Sequence, residues 1–202
     1  MSDVHKSFAV LIFGLLIGHF GWIKFSVPAF LYLIDYVQHL AIIGLYLYFF
    51  RKIDLKPSEK VVHNIAAIFT GLFIVISYLF FRAIVLKFGV PNAGDRFPPL
   101  YGWVMGFDLV VGLALTAVAE ELLYRKLMVD VIQTYTERPI AVYLTSAAIF
   151  ALLHANQGTV SAANAFVAGI VLMFLYRWSG SIATAMIAHY FANLLFFGVI
   201  FS

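Results

Sequence analysis

The stretch WVMGFDLVVGLALTAVAEELLYRKLMVDV, Trp103 to Val131, decides the fold class. A membrane-spanning helix needs about 20 mainly apolar residues. This run exceeds that length and is apolar almost throughout. It nevertheless carries Glu120, Glu121 and Arg125 within six positions. Ionisable groups inside a spanning segment are costly and mark function by default. The polar cluster and its apolar frame therefore have to be read together.

The rest of the chain supports a membrane reading. Only 11% of the 202 residues are charged, against about a quarter in soluble domains. Hydrophobic residues make up 63% and mean hydropathy is +0.97. There are no cysteines, which excludes disulfide frameworks, cysteine zinc sites and thiol nucleophiles. The net charge of +3 comes from scattered lysines and arginines, so no nucleic-acid partner is expected.

Seven apolar segments emerge, with six to eight as the bounds. They run from Phe8 to Ile23, Leu31 to Phe50, Val62 to Leu86, Trp103 to Val131, Ile140 to His154, Ser161 to Tyr176 and Ile182 to Phe201. The expected fold is all-α, a polytopic transmembrane helical bundle forming one integral membrane domain over residues 1–202. Residues 1–100 supply N-terminal helices and an outer loop, and 101–202 a four-helix catalytic core. The first segment reads as a retained helix, because no small-residue cleavage site follows it. The uncharged stretch Ala155 to Val160 is expected to dip into the protein. Gly89 to Leu100 (GVPNAGDRFPPL) reads as a turn-rich outer loop.

A cytoplasmic N-terminus places nine basic residues inside: Lys6, Arg51, Lys52, Lys56, Lys60, Arg125, Lys126, Arg138 and Arg177. Lys24, Arg82, Lys87 and Arg96 fall outside, and this imbalance favours that topology. Gly14 and Gly18, and the ridge Ser161, Ala165 and Gly169, read as close helix-packing faces. Asp35 and His39 are placed to pair on the second helix. Asp108 is expected near the outer interface.

Glu121 and Arg125 are four apart and share a helix face, which predicts a salt bridge. Glu120 points about 100° away from Glu121. Its expected neighbour is Tyr124, whose hydroxyl is placed to hydrogen-bond it. His154 closes the fifth segment, and His189 with Asn193 presents two polar groups one turn apart on the seventh. Counted from the cytoplasmic ends, Glu120, His154 and His189 lie roughly 16, 21 and 11 Å deep at 1.5 Å per residue. Given helix tilt, all three can meet in the middle third of a hydrocarbon core about 30 Å thick.

These residues also form a pattern. EExxxR at Glu120, Glu121 and Arg125, FxxxH at Phe150 and His154, and HxxxN at His189 and Asn193 occur in order, 34 and 35 residues apart. The pattern resembles the CPBP family of intramembrane proteases, also called the CAAX-protease and bacteriocin-processing or Abi family, over about Leu109 to Phe197. The resemblance implies an intramembrane endopeptidase that cleaves a membrane-associated substrate near its C-terminus. It implies that Glu120 with His154 activates water, that His189 and Asn193 hold the water or the oxyanion, and that Glu121 and Arg125 support the site; Tyr124 is a further supporting residue through its expected contact with Glu120. Glu120, His154 and His189 also make a His₂Glu set of the kind that binds catalytic zinc. A metal-free Glu–His pair uses the residues more economically and is preferred.

Rival readings are a non-catalytic scaffold or bacteriocin self-immunity protein of the same fold, and a small transporter using Glu120. The lack of an internal repeat weighs against a transporter. Small size and short loops point to a bacterial or archaeal cell membrane, with the lipid bilayer and a membrane-held peptide or protein as partners.

Overall fold

Apolar runs of this length fold as helices in a membrane because only a helix satisfies every backbone group within the segment. The computed structural model describes residues 2–20, 32–89 and 102–200, and these form seven helices with no strand among them. They are α1 (Asp3–Phe20), α2 (Tyr32–Phe50), α3 (Val61–Phe88), α4 (Gly102–Ile132), α5 (Pro139–His154), α6 (Thr159–Ser179) and α7 (Ile182–Leu195), the last continuing through a π turn to Ile200. Four of them, α3 to α6 (α5 taken to Gln157), are long and apolar enough to cross a membrane by length and composition. The protein is a polytopic helical bundle, as the apolar segments predict. The expected outer loop, from Val90 onward, lies outside the described residues.

Helix ends follow local chemistry. α5 starts with Pro139 at its first position, where a missing N–H costs nothing. α3 and α6 stop at Gly89 and Gly180, both left-handed (φ 60° and 67°), with their N–H groups donating back to Leu86 O and Tyr176 O. Ser181 caps α7 by accepting the Thr184 N–H at 3.3 Å.

α3 packs against both α6 and α7, and α7 is also flanked by α4. α5 lies along α6, while α1 and α2 cover another side of α4. Small residues set the closest approaches. A Cβ on Gly169 of α6 would sit 2.8 Å from Ala147 Cα of α5, and one on Gly71 of α3 would sit 2.9 Å from Ala188 O of α7. Ser161 and Ala165 are buried on the same ridge as Gly169, as expected of a packing face. Gly14 of α1 receives Leu123 of α4, while the surroundings of Gly18 lie outside the described residues. Ser7 ties α1 to α4 by donating to Asp130 Oδ2 at 3.1 Å.

α4 is not a uniform helix. Asp108–Gly112 and Leu122–Leu127 are wound as π turns inside the α-helix. Such turns cluster at functional sites. In the first, the Asp108 carboxylate accepts the Tyr36 hydroxyl at 2.6 Å and lies so close over Gly112 that a Cβ there would clash. Asp108 thus works as a tie between α2 and α4. His39 lies beside Thr116 of α4, with Nδ1 and Oγ1 3.5 Å apart.

The segment after α5 is mixed in burial, with Gly158 and Val160 buried and Ala155 and Thr159 exposed. Ala155–Gln157 form a single 3₁₀ turn, and Gly158 (φ 127°) is buried before α6 begins. Residues with a side chain seldom adopt that backbone conformation, so glycine is required there.

Candidate active site

The site is built where α4, α5 and α7 meet. Glu120 and Glu121 end the α-helical stretch Leu113–Glu121 of α4, and the π turn beginning at Leu122 carries Tyr124 and Arg125. Ser146 of α5 donates to Tyr124 O at 2.8 Å and pins this turn to α5.

Glu121 and Arg125 pair as their spacing predicts. Arg125 Nε lies 3.1 Å from Glu121 Oε2, and the side chains are 1% and 0% exposed. The contact is ionic and not an aligned hydrogen bond, because Nε, Nη1 and Nη2 of Arg125 all lack a hydrogen-bond partner. The guanidinium carbon instead sits 4.8 Å from the centre of the Phe150 ring, within cation–π range.

The two adjacent carboxylates both reach one imidazole. His189 Nδ1 is 2.7 Å from Glu121 Oε1, and His189 Nε2 is 3.6 Å from Glu120 Oε2. A carboxylate only accepts, so Nδ1 carries hydrogen and donates to Glu121. The ring spans the gap between the carboxylates with a nitrogen at each edge. His189 is thus a second partner of Glu121, beside the Arg125 pair that the spacing predicts. Helix spacing could not reveal it, because the bridging group comes from α7, 68 residues later in the chain.

Tyr124 also departs from expectation. Its ring packs edge-on against Phe150 at 4.9 Å, and Glu120 Oε2 has no hydrogen-bond partner. The π turn starting at Leu122 changes the register on which a shared face with Glu120 was predicted. Tyr124 is buried and serves the core beneath the carboxylates.

His154 ends α5 and Nδ1 donates to Phe150 O at 2.8 Å. A neutral ring with hydrogen on Nδ1 has its lone pair on Nε2. Its ring lies 4.5 Å from that of Phe150, whose far neighbour is His189 at 6.1 Å. Phe150 therefore lies in contact range of both histidines. Asn193 is one turn beyond His189 on α7 and is half-buried. Asn156, just after His154, holds a buried side-chain oxygen without a hydrogen-bond partner. Sequence reading passed over it, since an asparagine in a short turn carries no distinctive spacing.

The residues offered for zinc do not fit one ion in this arrangement. Both His189 nitrogens face carboxylates, and no three His, Asp or Glu side chains among the described residues gather as a ligand set. The geometry instead sets the Glu120 carboxylate beside a donor ring held by Glu121.

Residues 101–195 match the family of Rce1-like type II CAAX prenyl endopeptidases. No curated protein and no solved structure matches the chain. The match covers the whole of α4, α5 and α6 and all three motifs, and ends at the last residue of α7. This segment, just under half of the chain, is similar to the Rce1-like CAAX protease family, in keeping with the CPBP resemblance that its EExxxR, FxxxH and HxxxN motifs carry.

Proposed function

We propose that the protein is an intramembrane endopeptidase that hydrolyses a peptide bond near the C-terminus of a membrane-held substrate. The observation that carries this reading is the convergence of Glu120 and Glu121 on His189 inside the segment that matches the family. Three titratable groups at that depth, with an arginine as counter-charge, are a costly arrangement for a bundle that only needs to pack.

In this reading the water is held by two acceptors, the Glu120 carboxylate and Nε2 of His154. Glu120 takes one proton as the water oxygen attacks the scissile carbonyl, and later returns it to the leaving amide nitrogen. The carbonyl oxygen becomes an oxyanion and needs donors. Asn193 supplies its amide N–H₂. His189 supplies Nε2–H when its ring carries both hydrogens, with Nδ1–H held by Glu121 and Arg125 as the next charge in line. Donors already in place where charge develops act on the transition state more than on substrate binding.

Further parts of the reading are a cytoplasmic N-terminus, a bacterial or archaeal cell membrane, and a catalytic core drawn from residues 101–202. The test is cleavage of a reporter with a prenylated C-terminal tail, co-expressed with wild type, Glu120→Gln or His189→Gln. Release of the tail by wild type and loss in both variants is expected. Equal cleavage by either variant would remove that residue from the chemistry.

A further inference from the structure

Phe150 is the apolar member of the FxxxH motif, and hydrolysis assigns it no step. It nonetheless touches four side chains of the site. Its ring takes the Arg125 guanidinium at 4.8 Å, His154 at 4.5 Å, Tyr124 at 4.9 Å and His189 at 6.1 Å, while its carbonyl accepts from His154 Nδ1. It is 2% exposed. An aliphatic residue would fill the same volume. It would not offer a negative π face to a guanidinium whose Nη1 and Nη2 have no hydrogen-bond partner.

We infer that Phe150 is a positioning residue whose π face holds Arg125 against Glu121, and through Glu121 fixes the His189 ring. The chain of contacts is Phe150 ring to Arg125, Arg125 Nε to Glu121 Oε2 at 3.1 Å, and Glu121 Oε1 to His189 Nδ1 at 2.7 Å. The inference rests on the reading of His189 as a group of the reaction, but its contacts can be tested without activity.

Replacement of Phe150 by phenylalanines of rising ring fluorination keeps size and drains the π face. The expected result is a stepwise fall in kcat, reaching about tenfold or more, the scale of one lost desolvated cation–π contact. KM should hold within about threefold, because the contact lies behind the groups that meet substrate. Phe150→Tyr keeps a π face and should retain more activity than Phe150→Leu. The independent readout is ¹⁵N NMR of histidine-labelled protein, where the His189 ring signals should move with fluorination while the melting midpoint does not. A kcat that ignores fluorination, or His189 signals that do not respond, overturns the inference. If wild type cleaves no tail, the endopeptidase reading fails, and the His189 signals still decide the positioning role.

Discussion

Loss of the Arg125 guanidinium should unfold the site from its centre. Arg125 and Glu121 are 1% and 0% exposed, so Arg125→Ala leaves a carboxylate buried with only the His189 Nδ1–H against it. Removing one partner of a buried pair costs about 3–5 kcal/mol. At the roughly 2–4 °C per kcal/mol of domains this size, the melting midpoint in detergent should drop by about 6–20 °C. Glu121→Gln combined with Arg125→Gln removes both charges, and a glutamine oxygen still accepts from His189. The double variant should therefore lose less than half as much as the single one. The assay is size-exclusion of the solubilised protein after stepwise heating. A midpoint for Arg125→Ala within about 2 °C of wild type, or a double variant as unstable as the single, would refute the buried-pair reasoning.

Other outcomes follow from the same geometry. Glu120→Ala and His154→Ala should each abolish cleavage while membrane expression stays near wild type, as measured by product on immunoblot against total protein. Asn193→Ala should cut turnover by about a hundredfold or more, the usual loss for one oxyanion donor, with substrate capture by an inactive background little changed. Gly169→Val drives a side chain into the α5 backbone at Ala147 and should cost about 1–3 kcal/mol of stability. Gly44→Ala, with nothing within 4 Å of the added carbon, should melt like wild type in the same assay.

The helices were legible because bilayer thickness dictates their length. The second apolar segment, read as Leu31 to Phe50, is observed as Tyr32–Phe50, and the third, read as Val62 to Leu86, as Val61–Phe88. The Glu121–Arg125 pair was legible because it is local to one helix face. Two features were not. The π turns of α4 have no residue signature, and the one at Leu122 carries Tyr124, whose ring packs on Phe150. The bridge through His189 depends on how α7 lies against α4, which no spacing along the chain encodes. Depth placed Glu120 and His189 at compatible levels, but depth alone did not select which histidine meets which carboxylate.

The most direct test of the proposed hydrolysis uses purified protein in liposomes made in ¹⁸O-labelled water. The probe is a synthetic peptide with a farnesylated cysteine followed by three residues, read by mass spectrometry. Wild type should release the three-residue tail and leave one ¹⁸O in the new carboxylate of the farnesylated product, while Glu120→Gln releases none. An intact peptide with wild type, or labelled product from Glu120→Gln at the wild-type rate, would contradict hydrolysis of this substrate class by a water that Glu120 activates.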